Sequence, residues 1–567
     1  MQGSHQTRRL YWLCFALAAA AACGDDEASE ASDASTPAGN DKADAEVAKS
    51  DMGGAPRVKV SDGELIGAST NGVRRFLGIP YAKPPVGDLR WRRPQAPDAW
   101  KEPRDATKYG KRCAQLNSAV LMNPPSEDED CLYLNVWAPK DAKKLPVMVW
   151  IHGGGNVNGS ASELVPYSKP EALEYFYDGE ALAQKNVVIV SFNYRLSVFG
   201  YLSHPALDEA GKPSGNQGMW DQVAALEWVK KNIAMFGGDA SNVTIFGESA
   251  GSYDVCLHVA SPRSQDLFQR AISQSGGCTT LTNTKAQAET SSNMLASMLE
   301  CTGDDVLGCL RGKDVDTLLT AAAMLPALPT GRTIGPTVDG DFMPEQPRTR
   351  YKAGNINKVP YMLGSNTDEG SLFTAAAAPV TTEEQYTAAL EMQFPGRSDE
   401  IKALYPLDKF ADGKPNPAQA ALTRVIGDAR LVCSTTDSAL LAAAHAPSVY
   451  TYNFDIPVDP SLTPAFLGAS HGAELAYVFQ TSSRFNDAQT AASELMQRYW
   501  TNFARSGDPN VDSSSDVKWP TFDAEQNRRM NFAVDAPAVV ENFRKPECDL
   551  WIAGYEQVFA TAGTTRE

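Results

Sequence analysis

The sequence predicts an α/β protein in which a mostly parallel central sheet is covered by helices on both faces. From Val58 onward, short β-like runs alternate with longer runs of helical periodicity, without an internal repeat. Residues 145–151 and 187–192 are nearly continuous apolar runs, as expected for central strands that are buried on both faces. Residues 243–245 lead into Gly-x-Ser-x-Gly at 247–251, a pattern in which a strand enters a sharp turn and exposes a serine.

The N-terminus has the pattern of an export signal followed by a tether. Residues 1–22 place two arginines before an apolar stretch that ends in small residues, and this stretch is too short to span a bilayer. The residues before Cys23 resemble a bacterial lipoprotein cleavage box but lack its usual leucine, so secretion without a lipid anchor remains an alternative. Residues 23–56 are rich in Ala, Ser, Asp and Glu and have no aromatic side chains, which predicts a flexible tether. The folded domain is therefore expected at 57–567.

Composition narrows the range of partners. The 567-residue chain has a formal net charge of -18 and no basic run longer than the pair Arg8 and Arg9, which argues against nucleic acid or an anionic membrane surface as a partner. No cluster has metal-ligand spacing, and no glycine-rich loop has the phosphate-binding form, so we expect neither a metal nor a cofactor. The ten cysteines, less Cys14 in the signal and Cys23, leave an even number of candidates for disulfides.

The remaining elements complete the pattern of a single α/β domain. Helices are predicted at 219–236, 488–503 and 549–559, and further strands at 359–363 and 449–454. Gly237 and Gly238 end the first of these helices. Pro360 places its strand at a sheet edge or makes it the start of a strand. No feature marks a second domain.

A serine nucleophile needs a base and a group that orients the base. In the chain order serine, acid, histidine, the base comes last, which leaves His445 and His471. We favour His471, because the small residues of 468–472 let an imidazole reach into a site, whereas His445 ends an alanine-rich helical run. The acid should follow the strand at 359–363, where Asp368 and Glu369 compete.

A glycine run supplies a candidate oxyanion hole. Residues 153–155 are consecutive glycines directly after His152 and the buried strand 145–151. Such a run frees the backbone to turn its N–H groups toward a developing negative charge, and Ala250 would add a third N–H. The run is weak evidence alone and strong evidence together with the Ser249 turn that follows it in the chain.

Two long motifs resemble those of the type-B carboxylesterases, the family of the cholinesterases and para-nitrobenzyl esterases. Residues 236–251 resemble the serine signature of that family, and residues 129–137 resemble its second signature. Further similarities extend from 78–82 through 216–218 to Cys548. The resemblance implies one large α/β-hydrolase domain and a serine esterase that acts on small-molecule esters without a cofactor or an obligate protein partner.

The resemblance also implies roles for individual residues. It implies a catalytic triad of Ser249, His471 and Glu369, with Glu369 preferred to Asp368. It further implies that the oxyanion donors are the backbone N–H groups of Gly154, Gly155 and Ala250. Two polar residues, Glu248 and Ser275, are implied to support the site. A purely structural role for Glu248 and Ser275 remains the alternative.

Three disulfides are implied in the same way: Cys113 with Cys131, Cys301 with Cys309, and Cys433 with Cys548. Each would stabilise the fold by about 2 to 4 kcal/mol by restricting the unfolded chain. Cys256 and Cys278 are left, and they either pair with each other or are buried thiols.

Departures from the family narrow the expected substrate. Residues 121–123 occupy the region of a tryptophan that binds quaternary ammonium groups in cholinesterases, Leu372 replaces an aromatic residue, and residues 330–332 replace the acyl-pocket aromatics. We therefore expect esters of uncharged alcohols rather than choline esters. The prediction is a serine carboxylesterase that is secreted, periplasmic or anchored as a lipoprotein at the outer membrane. The alternatives are a binding or adhesion module of the same fold, as in neuroligin-like proteins, and a lactonase or amidase.

Overall fold

The computed structural model describes residues 54–564 except 118–123, 165–174, 210, 280, 328–333, 376–377, 412–415, 459–466, 483–484 and 512–516. The predicted signal, Cys23 and nearly all of the predicted tether lie outside the described residues. So do residues 121–123 and 330–332, on which part of the substrate argument depends.

An 11-stranded sheet forms the centre of the described chain. Its strands are β1 (Ala68–Thr70), β2 (Val73–Pro80), β3 (Tyr133–Pro139), β4 (Leu145–Ile151), β5 (Val188–Phe192), β6 (Gly238–Glu248), β7 (Arg270–Gln274), β8 (Tyr361–Asn366), β9 (Val449–Asp455), β10 (Arg529–Ala533) and β11 (Ala538–Val540). Their order across the sheet is β11-β10-β9-β8-β7-β6-β4-β5-β3-β2-β1. Neighbours from β10 to β5 pair in parallel, and pairing is antiparallel toward both edges.

The helices are α1 (Glu180–Ala183), α2 (Ser197–Tyr201), α3 (Gln217–Asn232), α4 (Ala250–Ala260), α5 (Lys285–Met298), α6 (Val306–Arg311), α7 (Val315–Ala323), α8 (Pro347–Ala353), α9 (Gly370–Thr374), α10 (Glu383–Gln393), α11 (Ser398–Leu404), α12 (Pro417–Gly427), α13 (Cys433–Ala443), α14 (Leu475–Phe479), α15 (Asp487–Ser506) and α16 (Lys545–Thr564). A π-helical segment, Asp428–Val432, joins α12 to α13. Two small sheets lie outside the central one and comprise Arg57–Val60, Gly63–Ile66 and Arg104–Asp105, and Asn283–Thr284 with Thr337–Val338. Among the described helices, none has both the length and the apolar character of a membrane span.

Burial of the sheet on both faces explains why polar and apolar residues do not alternate along its central strands. Successive strand residues point to opposite faces. In β4, Val149 packs in a cluster with residues of α3 and α4, whereas Trp150 packs in a second cluster with Phe503 of α15. The prediction of a mostly parallel sheet covered on both faces is therefore confirmed. Pro360 directly precedes β8, which is a central strand, so the proline marks a strand start and not an edge.

The cysteines of the described residues form four pairs. The three pairs implied by the family resemblance are bonded, with Cα–Cα distances of 4.9 Å (Cys113–Cys131), 5.5 Å (Cys301–Cys309) and 4.8 Å (Cys433–Cys548). Cys256 and Cys278 form the fourth pair, at a Cα–Cα distance of 5.7 Å. This pair joins α4, the helix that follows Ser249, to the segment after β7.

Candidate active site

Ser249 stands on a strained turn between β6 and α4. Its backbone has φ 56° and ψ -120°, a conformation that costs of the order of 1–3 kcal/mol for a residue with a side chain. The turn is held by hydrogen bonds from Ser249 N–H to the Gln274 carbonyl (2.9 Å) and from Tyr253 N–H to the Ser249 carbonyl (3.0 Å). A Cβ at Gly251 would lie 2.0 Å from the Ile151 carbonyl oxygen, so only glycine fits there. The Gly-x-Ser-x-Gly pattern thus has a steric cause.

Glu369 and His471 meet at the carboxyl end of the sheet. Glu369 follows β8, is buried, and lies 2.6 Å through Oε2 from His471 Nδ1. Its other oxygen accepts the N–H of Asn366 at 2.7 Å. A carboxylate at Nδ1 keeps the proton on that nitrogen and leaves Nε2 free to act as a base.

The two competing candidates lie elsewhere. Asp368 accepts a hydrogen bond from Arg424 Nη2 at 3.3 Å and another from the Ala469 N–H at 3.1 Å. His445 lies against Gly354, where an added Cβ would come within 2.7 Å of the imidazole. The structure therefore pairs Glu369, and not Asp368, with His471.

His471 Nε2 lies close to Glu248, the residue directly before Ser249. It lies 3.2 Å from Glu248 Oε1, although the two groups are not aligned as a hydrogen bond. Within the described part of the chain, Ser249 Oγ makes no hydrogen bond to Nε2. In free enzymes such bonds are often long and tighten only when substrate binds.

The pKa of His471 is unusual for a buried histidine. Burial alone would lower its pKa, but the carboxyl groups of Glu248 and Glu369 outweigh burial and raise the pKa to about 9. Burial likewise raises the pKa of Glu248 to about 8, against the opposing effect of His471 and with a further rise from the nearby carboxyl group of Glu474. The carboxyl groups therefore favour the protonated imidazole.

The glycine run at 153–155 lies against the nucleophile turn. A Cβ at Gly153 would lie 2.9 Å from the Glu248 carbonyl oxygen and 3.2 Å from Ser249 Cβ. Gly154 and Gly155 have φ of 105° and 69°, which lets the run bend there. The N–H groups of Gly154, Gly155 and Ala250 donate no hydrogen bond to any other described residue. These three N–H groups are therefore without a partner among the described residues.

His152 is a structural residue of this turn. Its ring is buried and stacks on Tyr194 with a centroid distance of 4.4 Å. Burial lowers its pKa to about 4 despite a hydrogen bond to the Gly153 carbonyl, so the ring is neutral near pH 7.

Three further polar residues support the site and were not predicted from the sequence. Glu474, at the start of α14, accepts hydrogen bonds from Gln274 Nε2 (3.2 Å) and Asn366 Nδ2 (2.5 Å). Asn366 also donates to the Ser470 carbonyl at 2.7 Å and so links the acid and base loops. Burial, and then Glu369, raise the pKa of Glu474. The one feature of the sequence that points to this network is an acidic residue, Glu474, three positions after His471.

Ser275 directly follows Gln274, whose carbonyl accepts the Ser249 N–H, and its own N–H donates to the Gly364 carbonyl at 2.8 Å. Its Oγ is buried and has no hydrogen-bond partner among the described residues, so Ser275 lies near Ser249 without a side-chain hydrogen bond to it. Near the base, Phe373 places its ring 5.1 Å from that of His471, so the residue after Leu372 supplies an aromatic contact. No group of three or more His, Cys, Asp or Glu side chains in the described ranges is arranged to hold a metal ion.

Comparison with known proteins identifies the family. The sequence matches the model of the carboxylesterase family over residues 54–551. The chain belongs to the carboxylesterase family. It is 33% identical over 530 residues to a cholinesterase of Mus musculus, covering 87% of this chain and 85% of that protein. It is 34% identical over 512 residues to an acetylcholinesterase of Bungarus fasciatus, covering 84% of this chain and 82% of that protein.

Solved structures of carboxylesterases agree. Two structures of PNB esterase superpose with TM-scores of 0.73 and 0.71 at 31% and 32% identity. Each match covers 87% of this chain, and 98% and 99% of the respective PNB esterase chain. The fold is therefore the α/β-hydrolase fold, and the protein is a carboxylic ester hydrolase.

Proposed function

We propose that this carboxylesterase is an exported serine esterase that forms an acyl-enzyme on Ser249. The observation that carries the proposal is the convergence of three features in one site. Ser249 is held on a strained turn, the imidazole of His471 is oriented by Glu369 at 2.6 Å, and the glycine run, with backbone N–H groups that have no partner among the described residues, packs against that turn. Together these supply a nucleophile, a base and an oxyanion hole.

In the first half of the proposed reaction, Ser249 Oγ attacks the ester carbonyl carbon while His471 Nε2 takes its proton. Glu369 accepts the Nδ1–H bond and stabilises the imidazolium that forms. The carbonyl oxygen becomes negative and accepts hydrogen bonds from Gly154, Gly155 and Ala250. One such donor contributes about 3 to 4 kcal/mol to lowering the barrier.

Collapse of the tetrahedral intermediate breaks the bond to the alcohol oxygen, which takes the proton from His471 Nε2. Water then attacks the acyl carbon as Nε2 accepts one of its protons, and the second intermediate collapses to the free acid and Ser249. The protonated His471 returns its proton to Ser249 Oγ. No cofactor takes part in the proposed cycle.

Esters of uncharged alcohols are the proposed substrates. The sequence lacks the tryptophan at 121–123 that would bind a quaternary ammonium group, and it has Leu372 where cholinesterases have an aromatic residue. Export is supported by the N-terminal pattern of residues 1–22 and by four disulfides, which persist in oxidising compartments. Cys23 is the proposed site of lipid attachment at the outer membrane, and simple secretion is the alternative.

The function is tested with a series of p-nitrophenyl esters from acetyl to palmitoyl, using the mature chain and its Ser249→Ala variant. We expect the parent to hydrolyse at least one ester, and we expect the variant to lose on the order of 10⁶ in kcat. A serine-directed organophosphate should label Ser249 and abolish activity. A parent without activity or label would favour the binding module, and an active Ser249→Ala variant would exclude the assigned nucleophile.

The lipid anchor is tested separately by palmitate labelling in a bacterial host. We expect labelling of the full chain and none of a Cys23→Ala variant. Equal labelling of the two proteins would exclude Cys23, and no labelling of either would favour simple secretion.

A further inference from the structure

A buried polar contact joins the glycine run to the helix that follows the nucleophile. Asn156, the first residue after the run, and Asp254 on α4 are both fully buried. Asn156 Nδ2 donates a hydrogen bond to Asp254 Oδ1 at 3.1 Å, across 98 residues of sequence. A buried carboxyl group requires such partners, so the contact is specific rather than incidental.

The chemistry of Asp254 determines the orientation of the Asn156 amide. A carboxylate only accepts hydrogen bonds, so Asn156 must turn Nδ2, its donor, toward Asp254 Oδ1. Tyr194 OH lies 3.1 Å from Asn156 Oδ1 and 2.9 Å from the His152 carbonyl oxygen, and these two acceptors share its single proton. The backbone carbonyl of Asn156 accepts the Ser197 N–H at 2.7 Å.

The second carboxyl oxygen of Asp254 also has a hydrogen-bond partner. Asp254 Oδ2 accepts from Gln222 Nε2 at 2.7 Å, and Gln222 Oε1 lies 2.9 Å from His258 Nε2. Burial lowers the pKa of His258 to about 3, so this ring is neutral. Because Gln222 Oε1 is an acceptor, the single ring proton lies on Nε2, and Nδ1 accepts from Ser264 Oγ at 2.7 Å.

We propose that Asp254 is a positioning residue that sets the spacing of the oxyanion hole by holding the Gly154–Gly155 loop through Asn156. The proposed donors come from two separate segments, the glycine run and the start of α4. Asp254 lies four residues after Ala250, about one helical turn along a rigid element. The glycine run has no side chains of its own with which to pack, and Asn156 is the side chain that directly follows it.

Precise spacing matters because oxyanion donors act only when they lie within about 2.7 to 3.1 Å of the developing negative oxygen. A displacement of about 1 Å reduces catalysis by on the order of 10²-fold. The inference rests on the proposed function, because it assigns these N–H groups to the oxyanion hole. It adds the element that keeps the two halves of the hole together.

The test compares Asp254→Ala with Asp254→Asn. For Asp254→Ala we expect kcat to fall about 10- to 100-fold with KM within about threefold, because the contact acts mainly in the transition state. The affinity for a trifluoromethyl ketone, which forms a tetrahedral adduct with the serine, should fall by the same factor as kcat/KM. For Asp254→Asn we expect activity within about fivefold of the parent. The amide oxygen still accepts from Asn156, Gln222 can turn over, and His258 can move its proton to Nδ1.

Ser264→Ala is the matched control, because it removes a buried hydrogen bond at the far end of the same network without touching the loop. We expect it to lower the melting temperature and to leave kcat and ketone affinity within about twofold. A double-mutant cycle of Asp254→Ala with Asn156→Gly should show that the two losses of kcat are not additive, because both variants remove the Asn156–Asp254 hydrogen bond. Glycine keeps the positive φ of Asn156, 61°.

Several outcomes would overturn the proposal. These are an unchanged kcat in folded Asp254→Ala, equal kcat losses in Asp254→Ala and Ser264→Ala, or additive losses in the cycle. If Asp254→Ala does not fold, Asn156→Gly alone decides, and full activity there overturns the proposal. Failure of the proposed function is distinguishable, because it would appear as activity retained by Ser249→Ala.

Discussion

Two buried histidines of this carboxylesterase, His471 and His258, have opposite electrostatic environments. Burial lowers the pKa of His258 to about 3, and its ring nitrogens contact the neutral side chains of Gln222 and Ser264. Burial acts in the same direction on His471, yet Glu248 and Glu369 raise its pKa to about 9. Burial alone does not distinguish a base from a structural histidine. The adjacent carboxyl groups do.

The two environments also differ in what stabilises them. Around His471, the acids Glu369 and Glu474 are held by amide donors of Asn366 and Gln274. Around His258, both ring nitrogens contact neutral groups, those of Gln222 and Ser264, and the nearest carboxyl group of this network, Asp254, is reached only through Gln222. The first region is suited to moving a proton and the second to holding a shape.

The largest expected difference is between His471→Ala and His258→Gln. Loss of His471 removes the proposed base, and we expect kcat to fall by on the order of 10⁴ to 10⁶. His258→Gln should leave kcat within about tenfold and lower the free energy of unfolding by about 1 to 3 kcal/mol, because Ser264 loses its partner. Steady-state kinetics of both variants measure kcat, and denaturant unfolding measures the free energy of unfolding. Equal losses of kcat would contradict the assignment of the base.

Removing the charge that orients His471 should have the next largest effect on kcat. Glu369→Gln keeps the shape but replaces the acceptor at Nδ1, so that the unfavourable tautomer is promoted, and we expect kcat to fall by about 10⁴-fold. Asp368→Asn is the matched control, because Asp368 contacts Arg424 and Ala469 instead of His471. A loss in Asp368→Asn as large as that in Glu369→Gln would show that Asp368 is the orienting acid.

Glu248→Gln should move the pH dependence of kcat/KM. The base acts only when deprotonated, so activity rises with pH through the pKa of His471. Removing the Glu248 carboxyl group takes away an influence that raises this pKa, and the acidic limb should shift to lower pH by about 1 to 3 units. A pH–rate profile of parent and variant measures the shift. An unchanged limb would mean that Glu248 does not interact with the imidazole that catalyses the reaction.

The smallest expected effect is a pH-dependent stability contributed by His258. Its pKa in the folded protein, about 3, is below the ordinary value of 6.5. The contribution is therefore fully present above about pH 6.5 and is lost as the pH falls toward 3. Relative to His258→Gln, the parent should lose about 1.4 kcal/mol of unfolding free energy per pH unit below 6.5. Urea unfolding of both proteins at pH 7 and pH 5 tests this, and a constant difference would mean that His258 is not buried as a neutral ring.

The sequence predicted the elements of this enzyme that depend on adjacent residues. The Gly-x-Ser-x-Gly turn, the glycine run after a buried strand and the unbroken apolar strands each have a local steric or burial cause. The residues alone favoured His471 over His445 and left the acid open between Asp368 and Glu369, and resemblance to the carboxylesterases then implied Glu369. Glu474 and Asn366 were missed because one buried acid and one amide near a strand end are common in folded proteins.

By itself, then, the sequence determined the fold class, through the alternation of strand-like and helical runs along the chain. It also determined the Ser249 turn and the glycine run, because each of these two is encoded within about ten consecutive residues whose sterics act locally. The tertiary structure decided which carboxyl group faces the imidazole, whether Cys256 meets Cys278, and that Asn156 contacts Asp254. The Glu369–His471 and Asn156–Asp254 contacts join residues 102 and 98 positions apart. No spacing in the chain encodes such contacts, because they depend on how the parallel strands order themselves in the sheet.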